Sequence, residues 1–124
     1  MNGKILLFGF ESLMDILALD AAVKPLGIEL VSVARADYNK TLAVLAGLEE
    51  NTGATAPYNG IGLGGKMLVL CGLKDQLETV LPILNGAGAG PQCLKAVLTP
   101  SNRNWNPVML YGELVREHRA MQGR

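Results

Sequence analysis

Two apolar patterns recur along the chain, short continuous runs and longer stretches with an apolar residue every three or four positions. Residues 4–8 and 66–71 are apolar throughout after a leading lysine, which predicts strands that are covered on both faces. Residues 28–34 and 93–98 predict two further strands. The polar residues within this second pair are typical of strands at the edges of a sheet.

Helical spacing appears in four stretches, at residues 12–23, 37–50, 75–84 and 107–121. Pro25 and Gly27 end the first of them. Asp37 is the predicted N-cap of the second helix. Asn106 followed by Pro107 predicts the start of the last helix, because asparagine is a favoured N-cap and proline is favoured at the first helical position.

Strands and helices therefore alternate as βαβα twice, in residues 4–50 and 66–121, joined by a Gly-rich linker at 51–65. We interpret residues 1–124 as one α/β domain with a four-stranded sheet, in which strands 1 and 3 are central and the order is 2-1-3-4 or 4-1-3-2. Because the central strands look covered on both faces, a three-layer sandwich is favoured. A ferredoxin-like two-layer fold with an extra helix per half is the alternative. The recurrence is either a true duplication or a chance similarity of two βαβα units.

Alignment of the two halves predicts a difference between them. Residues 13–37 align with residues 77–101 at a constant offset of 64, which pairs Leu30 with Leu94. Matching the predicted caps Asp37 and Asn106 requires an offset of 69. The connection before the last helix is therefore expected to contain five extra residues, and extra length in such a connection often has a functional role.

Composition excludes several classes of protein. The chain has 124 residues, of which 49% are hydrophobic and 18% charged, and no apolar run is long enough to span a bilayer. The N-terminus shows no secretion signal, so we expect a cytoplasmic protein without membrane partners. Cys71 and Cys93 are expected at opposite ends of the sheet, both reduced. With a single histidine, His118, the chain has no metal-binding spacing, and we predict neither a metal nor a cofactor.

Charge is unevenly distributed, although the formal net charge is zero. Residues 1–50 carry four basic and seven acidic side chains, a charge of −3, and residues 51–124 carry seven basic and four acidic side chains, a charge of +3. This asymmetry could support a homo-oligomer or attract an anionic ligand. Nucleic acid is disfavoured as a partner, because only 5% of the residues are aromatic and no strongly basic face is evident.

Residues 60–65 read Gly-Ile-Gly-Leu-Gly-Gly and match the dinucleotide-binding pattern GxGxxG. In that motif the glycines lie between a strand and the N-terminus of a helix, where backbone amides meet the pyrophosphate. Here they precede a predicted strand. We therefore interpret the segment as a flexible connection rather than a cofactor site.

The loop between the fourth strand and the last helix is the candidate site. Loops at this position bind ligands in many open α/β sheets. Arg103 would supply charge-assisted hydrogen bonds and Trp105 an apolar surface. The alternative is that Trp105 packs on the core and the asparagines cap turns. The candidate ligand- or partner-binding residues are Lys95, Thr99, Asn102, Arg103, Asn104 and Trp105.

The stretch KAVLTPSNRNW at residues 95–105, followed by a helix that ends in VREHRAM, resembles a small bacterial family known only as a domain of unknown function. The resemblance covers mainly residues 66–121. It implies that Lys95, Thr99, Asn102 and Trp105 are family-typical positions, and it implies no activity.

We therefore expect a non-enzymatic module that binds a small ligand or a protein partner through this loop. The alternative is a small enzyme that acts on a polar or anionic metabolite there, with Lys95, Thr99 or Asp37 as acid, base or nucleophile. It has less support, because no two titratable groups are placed by spacing to act together. A structural homo-oligomer is a third hypothesis.

Overall fold

The computed structural model describes residues 3–50 and 57–122. Four strands and four helices alternate along these residues, with single 3-10 turns at Lys24–Leu26, Arg35–Asp37 and Lys74–Gln76. The elements are β1 (Lys4–Phe8), α1 (Leu13–Val23), β2 (Glu29–Ser32), α2 (Leu42–Leu45), β3 (Met67–Cys71), α3 (Leu77–Gly86), β4 (Leu94–Val97) and α4 (Pro107–Gln122). No helix within these residues has both the length and the apolar character required to cross a bilayer.

The four strands form one sheet in the order β2-β1-β3-β4. β1 and β2 are parallel, as are β3 and β4, whereas the central pair β1 and β3 is antiparallel. This confirms one of the two strand orders expected from the sequence. The antiparallel pairing places the start of β1 beside the end of β3, with Lys4 opposite Cys71.

Helices cover both faces of the sheet. Side chains alternate between the faces of a strand, so β1 and β3 each contribute apolar residues to two separate cores. One core lies under α1 and α3, and the other lies under α2 and α4. The first contains Ile5, Leu7, Leu19, Val23, Leu68, Leu70, Val80 and Leu84; the second contains Leu6, Phe8, Leu42, Met67, Val69 and Leu110. The fold is a three-layer α/β sandwich, and the two-layer ferredoxin-like alternative is wrong.

The second helix differs from the sequence prediction. Asp37 does not cap it, because residues Arg35–Asp37 form a 3-10 turn and the Asp37 carboxylate pairs with Lys40 at 2.9 Å. The helix begins instead after Thr41, whose Oγ1 accepts a hydrogen bond from the Val44 amide at 3.3 Å. It ends after one turn at Leu45, close to Gly47, which has the left-handed φ of +79°.

Because α2 begins after Thr41 rather than after Asp37, the five extra residues predicted in the connection before α4 are not present. Thr41 follows the last residue of β2, Ser32, by nine positions, and Asn106 follows the last residue of β4, Val97, by the same nine. Asn106 does cap α4, since its Oδ1 accepts from the Met109 amide at 2.9 Å. The two strand-to-helix connections are therefore equal in length.

The predicted alignment of the outer strands is also displaced by one residue. Leu30 packs in the core under α1 and α3, whereas Leu94 packs in the core on the opposite face. Residues with matching hydrogen bonds are Glu29 and Leu94, whose amides donate to the carbonyls of Gly3 and Lys66. A shift of one residue moves every side chain of a strand to the other face, so pairing Leu30 with Leu94 is wrong.

Candidate functional site

A cleft of about 530 Å³ opens at the end of the sheet where β3 and β4 finish and β1 begins. In open α/β sheets ligands bind preferentially outside the carboxyl ends of strands. Its walls are mainly apolar and include Leu48, Cys71 and Leu98. Two cationic side chains, Lys4 and Arg103, also line it. We define the β3–β4 cleft by these five residues together with Ala46, Gly47, Gly72, Thr99 and Pro100.

The loop after β4 is held in shape by Asn102. Thr99 and Asn102 exchange hydrogen bonds: the Thr99 amide donates to Asn102 Oδ1 at 2.9 Å, and the Asn102 amide donates to Thr99 Oγ1 at 3.2 Å. Asn102 Nδ2 also donates to the Val97 carbonyl at 3.0 Å. Both polar atoms of the Asn102 side chain are thus hydrogen-bonded within the protein, and the residue is only 9% exposed. These contacts hold the loop in shape.

The same loop supplies acceptors for the start of α2. The amides of Leu42 and Ala43 donate to the carbonyls of Trp105 and Arg103, at 2.9 and 3.0 Å. These amides lie in the first turn of the helix and have no partner within it. The loop of the second half therefore completes the shortest helix of the first half, and it carries Arg103 to the rim of the cleft.

The two cations of the cleft are only partly neutralised. Arg103 Nη2 contacts Glu49 Oε2 at 2.9 Å through a single hydrogen bond. Lys4 Nζ donates to the Ala46 carbonyl at 2.9 Å and lies 4.0 Å from Glu29 Oε1. Guanidinium carries five N–H donors and ammonium three, so both side chains retain donors for a ligand.

Cys71 lies in the apolar wall and is buried. Burial raises the pKa of its thiol to about 11, and the positive charge of Lys4 opposes this shift only in part. The thiol is consequently protonated near neutral pH and contributes apolar surface rather than a nucleophilic thiolate. Cys93 precedes β4 at the opposite end of the sheet, as expected from the sequence, and both cysteines are free.

The structure brings only two of the predicted site residues, Thr99 and Arg103, into the cleft. Lys95 lies at the other end of β4, where its Nζ donates to the carbonyls of Gly90 and Cys93 at 3.0 and 3.2 Å. Trp105 packs against the core under α2 and α4. Asn104 is exposed to solvent. The side chains predicted by the sequence thus form no single cluster.

Sequence reasoning missed Lys4 and Leu48. The sequence pattern places Lys4 only at the start of the first strand, and Lys4 reaches the cleft because β1 runs antiparallel to β3. The same pattern predicts Leu48 in a helix that packs on the core, but Leu48 lies beyond α2 and is 59% exposed. The available signal is the lysine itself, since a charge that precedes a fully apolar strand is expected at the end of that strand, near solvent.

A second cleft, of about 540 Å³, lies at the carboxyl ends of β1 and β2 and is lined in part by residues 62–66. The Gly-rich residues 60–65 precede strand β3, as expected, rather than a helix. Gly9 requires its left-handed φ of +78°, and a Cβ on it would come within 2.7 Å of the Gly65 carbonyl oxygen. Lys66, at the rim, pairs with Asp15 at 3.3 Å and lies over the Phe10 ring.

Some of the excess acidic charge of the first half forms ion pairs with basic residues of the second half. Lys66–Asp15 and Arg103–Glu49 each join a basic residue of the second half to an acidic residue of the first. These two contacts account for part of the opposite signs of the two halves within a single chain. Within the described part of the chain, no three His, Cys, Asp or Glu side chains are grouped in a way that could hold a metal ion.

Comparison with protein-family models matches the second half of the chain. Neither the curated proteins nor the solved structures contain a match to the chain. The match covers β3, α3, β4 and α4, which is the half that contributes the loop of the cleft. Residues 66–121 match the family model of DUF3783, a domain of unknown function, in agreement with the resemblance seen in the sequence.

Proposed function

We propose that the protein is a non-enzymatic binding or regulatory module that holds a small anionic ligand in the β3–β4 cleft. The observation that carries the proposal is the placement of Lys4 and Arg103 on a cleft with mainly apolar walls. Small-molecule sites are typically concave and apolar with a few polar groups that fix orientation. Charge-assisted hydrogen bonds are the stronger class of such contacts.

The binding groups come from both halves of the chain. Arg103 offers guanidinium donors that Glu49 does not use, and Lys4 offers ammonium donors beyond the one given to Ala46. The Thr99 hydroxyl accepts from the Asn102 amide and still has its own proton to donate. These three groups provide orientation, and Leu98 and Cys71 provide apolar contact.

An enzyme at the same cleft is the weaker hypothesis. A nucleophile there would need an adjacent base. The described residues that line the cleft include no histidine, the Glu49 carboxylate at the rim is paired with Arg103, and the Cys71 thiol has a raised pKa. Two free, buried cysteines suit a reducing compartment, so the proposal places the protein in the cytoplasm.

The test is ligand-induced stabilisation, since a ligand that binds the folded state raises the melting temperature. Wild type, Lys4→Met and Arg103→Gln would be screened against inorganic phosphate, AMP, acetate, succinate and hexanoate. Arg116→Gln is the matched control, because Arg116 is exposed on α4 outside the cleft. We expect at least one anion to stabilise wild type and Arg116→Gln but neither cleft variant. Equal responses of Arg103→Gln and Arg116→Gln would contradict the proposal.

A further inference from the structure

We infer that the ligand of the β3–β4 cleft is a carboxylate with an apolar body, and that Glu49 occupies the carboxylate position until the ligand displaces it. This inference rests on the function proposed above. It is suggested by the Glu49 side chain, a carboxylate of the protein itself that already binds Arg103 at 2.9 Å at the rim of the cleft. An incoming carboxylate would meet the same guanidinium.

The segment that carries Glu49 is attached at two points. At one end the Ala46 carbonyl accepts from Lys4 Nζ, and at the other the Glu49 carboxylate accepts from Arg103. Both donors are the cations that would bind a ligand. Gly47, with its left-handed φ, lets the chain turn between these points. Residues 46–49 therefore form a strap whose anchors are the ligand-binding groups.

The strap is held weakly at its Glu49 end. The Arg103 and Glu49 side chains are 39% and 45% exposed, and exposed ion pairs contribute little to stability. Their contact uses one N–H rather than the two parallel bonds that guanidinium and carboxylate can form. A free carboxylate can adopt the two-bond arrangement, because it is not tethered to the chain.

Apolar surface under the strap selects the body of the ligand. Leu48 is 59% exposed, and Cys71, Leu98 and Pro100 line the same cleft. The thiol of Cys71 is uncharged, so it does not interrupt this surface. Inorganic phosphate could use the two cations but would leave the apolar wall in water. A carboxylate with a short alkyl chain uses both.

The experiment is titration calorimetry of the full chain with hexanoate, acetate, inorganic phosphate and hexanol. We expect hexanoate to bind more tightly than the other three. Glu49→Gln should bind hexanoate roughly two- to fivefold more tightly than wild type, because the weakly competing carboxylate is gone. Glu50→Gln is the matched control, since Glu50 makes no described contact with Arg103, and it should bind as wild type does. Leu48→Ser should weaken hexanoate binding without changing acetate binding.

The outcomes separate this inference from the proposed function. If Glu49→Gln and Glu50→Gln bind hexanoate equally while Arg103→Gln does not bind it, the cleft binds anions but the strap does not compete, and the inference is wrong. If phosphate binds as tightly as hexanoate, the assigned ligand class is wrong. If no anion binds wild type or Glu49→Gln, the proposed function fails with it.

Discussion

Thr99 and Asn102 each accept a hydrogen bond from the other's backbone amide, and this reciprocal pair fixes the loop that carries Arg103. The Arg103 amide then donates to the Thr99 carbonyl at 3.0 Å. The backbone that bears the Arg103 side chain is therefore fixed by a residue that does not line the β3–β4 cleft. We expect Asn102 to position Arg103 without contacting the ligand.

Asn102→Ala should destabilise the protein strongly. It removes the bond to the Thr99 amide and leaves the Val97 carbonyl without its side-chain donor. We expect the free energy of unfolding in urea to fall by about 2–3 kcal/mol. Asn104→Ala is the control, because Asn104 is exposed, and its effect should stay within about 0.5 kcal/mol. Similar losses for the two variants would show that the reciprocal pair does not hold the loop.

Trp105→Ala should lower stability but not ligand affinity. The indole is half-buried against the core under α2 and α4, and it does not line the β3–β4 cleft. A loss of about 2–3 kcal/mol in the free energy of unfolding is expected for this partly buried aromatic side chain. Hexanoate affinity, measured below the melting temperature, should match that of wild type. A selective loss of affinity with unchanged stability would instead place Trp105 in the site.

Gly9→Ala and Gly72→Ala form a matched pair, because each glycine follows a central strand with a left-handed φ, +78° and +70°. Gly72→Ala should cost about 1–2 kcal/mol of stability from backbone strain alone. Gly9→Ala should cost roughly 2 kcal/mol more, because its Cβ would meet the Gly65 carbonyl oxygen at 2.7 Å. Thermal unfolding of both variants measures the difference. Equal costs would mean that Gly65 moves away freely.

Stability should fall at alkaline pH partly because of Cys71. Burial raises its pKa from the ordinary value of 9.0 to about 11 in the folded protein. The unfolded chain therefore releases the thiol proton first as the pH rises, and the folded state loses stability between about pH 9 and pH 11. Below pH 9 this contribution is constant.

Urea unfolding of wild type and Cys71→Ala at pH 8 and pH 10.5 tests this linkage. The stability lost between the two pH values should be smaller in Cys71→Ala, because that variant has no thiol to ionise at this position. An equal loss in both proteins would show that the thiol ionises alike in the folded and unfolded states.

The sheet could be predicted because its signals are local and strong. Continuous apolar runs place β1 and β3 at the centre, and every side chain of β3 is buried. Glu29 and Lys95 mark β2 and β4 as edge strands, as observed. The start of α4 could also be predicted from the sequence, since Asn106 caps it and Pro107 is its first residue.

The start of helix α2 could not be predicted in the same way. Asp37 and Thr41 are both good N-cap residues, and the choice between them depends on contacts distant in sequence. The Asp37 carboxylate binds Lys40, whereas the helix after Thr41 receives acceptors from residues 103 and 105.

The exposure of Leu13 and Leu17 in α1 could not be predicted either. Both fit the helical pattern, yet they are 68% and 52% exposed, because Leu19 and Val23 define the buried side of the helix.

The cleft could be predicted only in part. Thr99 and Arg103 could be predicted because they follow a strand, Arg103 carries a charge and Thr99 is a family-typical position by the resemblance. Lys4 joins them because the two halves meet through an antiparallel β1–β3 pair, and a linker of this length permits either direction. The relation between the halves, rather than any motif, creates the site.

The bonds from Leu42 and Ala43 to the carbonyls of Trp105 and Arg103 also bear on how the protein assembles. Because the donors and acceptors lie some sixty residues apart in sequence, neither half can build its wall of the cleft independently. Closing such a long loop lowers the conformational entropy of the chain, and this loss is compensated only once the contacts have formed. A ligand bound between the walls would therefore contact both halves and oppose their separation. Occupancy of the cleft would then slow unfolding and proteolysis of the whole chain.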